Sequence, residues 1–283
     1  MLKKTFVILT NSKLDQMGFG DYLRIISILK NFKFDRYIWI SDNEIHSLIS
    51  HCDVIDLILK LNTEQSHGVV DNADFVLNLF ENKISNNKIL YVKNILNQKF
   101  NIKKSGQDMC QQICNYFNLK NYKLFHNNHQ VSFHKYDIFI NHVVPLEWKI
   151  KEYPFNKLKK IEKFINGYNK NLKILWQNDN DSITDYINNI KDSKIILSII
   201  GLGTHIGMLF NKRMIVLAGP TFFNDLDKYH NKKVIFPNIM CECQTTFLNL
   251  GIACNSHKGV NNSCMNDISE DRVYKTLINE LAQ

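Results

Sequence analysis

No stretch of this sequence stays apolar for the ~20 residues that a membrane-spanning helix needs; its longest apolar runs, such as Ile195–Ile200, are far shorter. A signal-peptide core is lacking too. The opening MLKKTFVILT joins a lysine pair to a short apolar run with no small-residue cleavage site after it, and it reads better as a buried first strand. There is no internal repeat, no low-complexity linker and no long block of like charge, so fibrous and disordered classes drop out. No G-K-[ST] follows the glycines at 201–203, which excludes a Walker-type phosphate loop there. The cysteine spacing fits no C2H2 finger and no aromatic-plus-basic stripe is present, so nucleic acid is not an expected partner. The expectation is a cytoplasmic protein, in a compartment that disfavours disulfides.

What is present is ordinary in bulk: 283 residues, 45% hydrophobic and 22% charged, long enough for two domains with real cores. The net charge of +8 suits an anionic ligand or peripheral contact with an anionic membrane surface, here the inner membrane. The abundance of Lys, Asn and Ile also fits AT-rich coding, so the charge names no partner by itself.

Short apolar runs alternate with helical patterns in both halves. Lys4–Thr10, Arg36–Ser41, VIDLILKL, Asp74–Phe80 and Lys88–Lys93 read as strands, with helices near Asp21–Asn31, at NEIHSLISH and at DMCQQICNYFNL. On the last of these Cys110 and Cys114 lie one turn apart and read as core residues. The second half repeats the theme, with strands in Tyr136–Pro145, Leu172–Gln177, Lys194–Ile200 and Arg213–Gly219. Helices fall near Asn156–Tyr168, at SITDYINNIKDS with Ser182 as N-cap, at GTHIGMLFN and over Ser269–Leu281. This alternation predicts α/β architecture with parallel sheets. It further predicts two Rossmann-like domains, 1–142 and 143–283, facing a central cleft, with ligands outside the carboxyl ends of the strands.

Three loops could carry chemistry. In SKLDQMGFGDYLRII, Gly18 and Gly20 let the backbone approach a ligand, and Asp21 opens a helix. An aspartate there can take a proton from a hydroxyl or simply cap the helix. In VVPLEWKIKEYPFNKL, Lys149 and Lys151 precede a helix and could neutralise phosphate or stay solvated. In SIIGLGTHIGMLFNKRMIVLAGPT, a buried strand runs into Gly201, Gly203, Thr204 and His205 at a helix start, an anion site in form. Asp179-Asn180-Asp181 is a D-x-D triplet that reads as a polar loop before a cap.

Four cysteines, Cys241, Cys243, Cys254 and Cys264, fall in one stretch as C-x-C, then gaps of ten and nine. Four thiolates can complete a tetrahedral Zn or Fe site, with His257 as a substitute ligand; free thiols are the alternative.

Taken together these segments resemble the ADP-heptose:lipopolysaccharide heptosyltransferases, glycosyltransferase family 9, of GT-B fold. The family's GD after the first strand is Gly20-Asp21 here, its K-x-W-P is KEYP ending at Pro154, and its D-T-G-x-x-H falls on IGLGTH ending at His205. GPT at Gly219–Thr221 and C-M-x-x-I-x-x-x-x-V from Cys264 to Val273 match as well. Tyr153 replaces the family tryptophan, and Ile200 stands where the family has an aspartate on the sugar hydroxyls. GLGT and the cysteines resemble the autotransporter heptosyltransferases in particular, which implies a structural iron at the four cysteines of loop 241–264.

The resemblance implies an inverting glycosyltransferase with a nucleotide-sugar donor, ADP-heptose first. The acceptor would be a lipopolysaccharide core, another lipid-linked or surface glycan, or a protein. Asp21 would be the base. Lys151, Gly201, Gly203, Thr204, His205 and Thr221 would hold the donor, and Gly18 and Gly20 would lie on the acceptor side. No catalytic divalent metal is expected. The alternative is a catalytically silent nucleotide-sugar-binding protein on the same scaffold, for which Ile200 is the main support.

Overall fold

The computed structural model describes residues 3–11, 18–79, 89–91, 109–127, 133–220, 228–238 and 263–283. The chain divides into two units, 1–128 and 129–283. Each is built on one parallel sheet.

In the first unit the strands are β1 (Thr5–Leu9), β2 (Arg36–Ser41), β3 (Leu57–Lys60), β4 (Phe75–Asn78) and β5 (Ile89–Tyr91), in the spatial order β3-β2-β1-β4-β5. The helices are α1 (Phe19–Ile28), α2 (Asn43–Ile49), α3 (Glu64–Asn72) and α4 (Met109–Tyr116). The central strand β1 is apolar at every position from Phe6 to Leu9, and all four are buried, as expected where helices cover both faces of a parallel sheet. On one face Phe6 stacks on Phe32 and meets Phe34 and Phe75 edge-on or tilted, at centroid distances of 5.0–5.7 Å. Cys110 and Cys114 are both buried, which agrees with a packing role; the Cys110 thiol lies 3.5 Å from the Arg24 carbonyl on α1.

The second unit has β6 (Tyr136–Asn141), β7 (Ile174–Trp176), β8 (Ser193–Ile199), β9 (Arg213–Leu217) and β10 (Lys232–Ile235), ordered β10-β9-β8-β6-β7. Its helices are α5 (Phe155–Tyr168), α6 (Ile183–Lys191), α7 (Leu202–Leu209), α8 (Ser263–Asn266) and α9 (Glu270–Leu281). The core joins the inner stripe of α5 (Leu158, Ile161, Ile165) and Val273 and Leu277 of α9 to the isoleucines and leucines of β6, β8 and β9. Burying an aliphatic side chain of this size stabilises the fold by about 1.5–3 kcal/mol, so this cluster dominates the unit.

The structure moves the domain boundary. The expected division at 142/143 falls after β6, whereas β6 is an interior strand of the second sheet, paired with β7 and β8. Its hydrogen bonds bind it to the second unit, and the division lies at 128/129. Three elements escape the sequence patterns, the short α8 among them. Helix α3 carries a weak apolar stripe (only Ser66 and Val70 are buried) and is started by a Thr63–Ser66 capping box. Strand β10 has the lysines 232 and 233 in its first half. Among the described residues, no helix is long and apolar enough to cross a membrane.

Candidate functional site

In each sheet the strand order reverses at one place, and ligands of open α/β folds gather there, outside the carboxyl ends of the strands. In the first unit the reversal lies between β1 and β4; in the second it lies between β6 and β8. The candidate loops follow β1 and β8.

After β1, helix α1 starts from Gly18, whose backbone is extended (φ −77°, ψ 156°). The Gly18 N–H donates to Asp21 Oδ2 at 3.2 Å, and the Asp21 N–H donates to the Gly18 carbonyl at 2.9 Å. Asp21 therefore caps its helix, as the plainer expectation had it. It also accepts from Arg24 Nη1 at 3.1 Å through Oδ1. The Asp21 side chain stays 38% exposed while that of Arg24 is 10% exposed. Each carboxylate oxygen keeps a second lone pair, so an oriented, accessible acceptor for a proton remains. Gly20 sits in the first turn beside it. Arg24 was not legible as a partner because a lone arginine inside a helix pattern looks like any surface cation.

After β8, helix α7 starts from Gly201 with the same bonding. Gly201 N–H donates to Thr204 Oγ1 at 3.2 Å, and the Thr204 hydroxyl donates to the Gly201 carbonyl at 2.6 Å. Thr204 is fully buried. Its hydroxyl serves the turn, and the backbone N–H groups of Leu202 and Gly203 are among those a helix start leaves without intrahelical partners. Gly203 is buried and His205 half-buried. Ile200 is buried. Helix α7 ends at Leu209 and is stopped by Asn211, in the left-handed region at φ 53°, after which the Lys212 N–H reaches back to the Gly207 carbonyl at 2.9 Å, a Schellman-type stop.

Beneath the Gly201–Gly203 turn lies a buried polar chain that no spacing pattern announced. Tyr186 Oη on α6 donates to Asn141 Oδ1 at the end of β6 (2.7 Å), and Asn141 Nδ2 donates to Ser198 Oγ on β8 (2.5 Å). Burial, with a smaller push from Asp181, raises the Tyr186 pKa, so its hydroxyl stays a donor.

Lys151 closes a 3-10 turn, Leu146–Lys151, and is half-buried. Lys149 is exposed and paired with Glu152 at 3.0 Å, an ion pair worth little. Tyr153, in place of the family tryptophan, is buried and donates to the Ile268 carbonyl at 3.1 Å. Lys157 Nζ donates to the same carbonyl at 3.1 Å. The KEYP segment is thereby tied to the α8–α9 turn.

His142 follows β6 and lies against Trp176 and Phe155, at centroid distances of 5.2 and 5.8 Å. Burial lowers its pKa, against Asp179 and Glu152, which raise it. The D-x-D loop is structural: Asp181 Oδ2 accepts from the Asn178 N–H at 3.2 Å and from Asn189 Nδ2 at 3.3 Å.

Thr221, Cys241, Cys243 and Cys254 lie outside the described residues. Cys264 is buried on α8, next to Met265 of the core cluster. Among the described residues, no group of three or more His, Cys, Asp or Glu is arranged to hold a metal.

No protein-family model and no curated protein matches the sequence. Solved structures do match. A family 9 glycosyltransferase from Veillonella parvula is similar at 12% identity and TM-score 0.64, covering 100% of this chain and 98% of that one. E. coli ADP-heptose lipopolysaccharide heptosyltransferase II is similar at 12% identity and TM-score 0.59, covering 99% of both chains. The iron-containing dodecameric glycosyltransferase TibC of enterotoxigenic E. coli is similar at 10% identity and TM-score 0.57, covering 99% of this chain and 76% of that one. The chain thus has, over its whole length, the GT-B fold of the family 9 glycosyltransferases, with two Rossmann-like units.

Proposed function

We propose that the protein is an inverting glycosyltransferase that moves a sugar from a nucleotide diphosphate donor, ADP-heptose first, to a hydroxyl of a lipopolysaccharide core, another surface glycan or a protein. The observation that carries this reading is the combination of the fold with two glycine-capped helix starts at the two switch points, one bearing a carboxylate and the other a hydroxyl.

Asp21, held by Gly18 and Arg24, takes the proton from the acceptor hydroxyl. The freed oxygen attacks the anomeric carbon, and the bond from that carbon to the β-phosphate oxygen breaks with inversion. The departing diphosphate is stabilised by the Leu202 and Gly203 N–H groups, the α7 dipole and Lys151. Those groups fill the cation's role, so the route needs no divalent metal. His205, and Thr221 beyond the described residues, complete the donor set in this reading, with Gly18 and Gly20 on the acceptor side. We place the enzyme in the cytoplasm, peripheral to the inner membrane.

The four cysteines are assigned to a structural Zn or Fe. This rests on their spacing and on the iron in the neighbour TibC. Elemental analysis of purified protein tests it: a near-stoichiometric metal supports the assignment and a trace amount ends it.

Ile200 favours a second reading, a nucleotide-sugar-binding protein without turnover, because an apolar side chain stands where the family has an acid. A thermal-shift screen of ADP, ADP-heptose and UDP-sugars, followed by a transfer assay, separates the readings. Stabilisation with transfer supports the enzyme, stabilisation without transfer the binding protein, and no stabilisation by any nucleotide sugar removes both.

A further inference from the structure

Gly203 has almost no room. A Cβ built there overlaps Asn141 Nδ2 and lies 2.5 Å from Tyr186 Oη. Both atoms belong to the buried chain under the turn: Tyr186 to Asn141 to Ser198, continued by the Ser198 hydroxyl donating to the Ile199 carbonyl at 2.7 Å. The chain joins three elements, α6, β6 and β8, at the reversal point of the sheet. All three side chains are buried, at 7%, 5% and 1% exposure. Because the Ser198 hydroxyl spends its one proton on the Ile199 carbonyl, it can only accept from Asn141, which turns Nδ2 toward Ser198 and Oδ1 toward the Tyr186 hydroxyl.

Packing alone does not call for such a chain. Apolar side chains of similar size would fill the same space without the desolvation cost of a hydroxyl, an amide and a phenol. What a fully connected polar chain adds is a fixed geometry, and the backbone resting on it is that of Gly203. We propose that Tyr186, Asn141 and Ser198 are positioning residues for the donor diphosphate: they set the height of the Gly201–Gly203 turn and so aim the Leu202 and Gly203 N–H groups. The proposal rests on the donor reading of that turn given above. Gly203 is then required for its missing side chain and for the floor it rests on.

The test is ADP binding by calorimetry on the full chain at 25 °C, with folding followed by circular dichroism. Tyr186→Phe removes one hydroxyl and should weaken ADP about 3- to 10-fold in a folded protein. Gly203→Ala should weaken it about 30-fold or more in the native background, and less than about 3-fold further in an Asn141→Ser/Tyr186→Phe background, where the colliding atoms are gone. A purely structural chain would lower the melting temperature and leave ADP affinity of the folded protein unchanged. Unchanged affinity in Tyr186→Phe, or an equal cost of Gly203→Ala in both backgrounds, overturns the proposal. Should Gly203→Ala fail to fold, Tyr186→Phe alone decides. Absence of ADP binding by the unmodified protein overturns the donor reading and this inference with it, whereas binding without coupling overturns only the inference.

Discussion

The starts of α1 and α7 are built alike and charged differently. Each leaves a β-strand of the central pair, caps itself with a glycine and returns a hydrogen bond from that glycine's N–H to the side chain three residues on. In α1 that side chain is the carboxylate of Asp21; in α7 it is the hydroxyl of Thr204. A helix start carries roughly half a positive charge. Asp21 offsets it, so α1 has little left to offer an external anion, and in the proposed reading its carboxylate is the base. Thr204 leaves it unopposed, so α7 can receive phosphate. One geometry thus carries two different local charges, decided by a single residue type.

Breaking the first half of the comparison has the largest expected effect. Asp21→Asn keeps the cap bond and removes the base; turnover should fall by about 10²–10⁴ with ADP affinity unchanged. Turnover near that of the unmodified protein would end the assignment of Asp21.

The other end of the second sheet provides a contrast in which cations, not N–H groups, meet helix ends. Lys212 donates to the carbonyls of Lys191 and Ser193 and its pKa is lowered to about 8, by burial first and then by Lys191, against Asp192. A base with a folded pKa below its unfolded value binds fewer protons folded than unfolded, so stability rises with pH through that window. Denaturation of the unmodified protein and of Lys212→Met should therefore diverge by about 2 kcal/mol in favour of the former between pH 7 and 10. Parallel pH curves would show that Lys212 has an ordinary pKa.

Making α7 resemble α1 should cost less. Thr204→Asp preserves the cap and adds a negative charge at the donor turn, and ADP affinity should fall about 10- to 100-fold. Thr204→Val deletes the cap without charge, and chemical denaturation should show a loss of about 1 kcal/mol. If Thr204→Asp binds ADP normally, the two helix starts differ in sequence but not in function.

Most of the fold was legible in the sequence because apolar runs such as Lys194–Ile200 have no other use than a sheet covered on both faces. Helix α3 and strand β10 were not, since one has little apolar stripe and the other carries lysines. The candidate turns were legible as glycine-bearing loops after strands. Their floor was not: Tyr186, Asn141 and Ser198 are far apart in sequence and meet only through the order of the strands. Arg24 was hidden for a related reason, as its pairing is local but its burial is set by the rest of the unit.

The described residues on either side of 239–262 are held at fixed posts. Arg272 Nη1 holds the Phe236 carbonyl and Asn238 Oδ1 at 3.1 Å on the way out. Lys157 and Tyr153 hold the carbonyls of Asn266 and Ile268 on the way back, and Asn238 Nδ2 reaches the Asp267 carbonyl across the gap at 3.3 Å. The two flanks are thereby stapled to each other and to α5 and α9. The closing turn of the second unit is thus a clasp of its own side chains, with Asn238 and Asp267 as the two jaws.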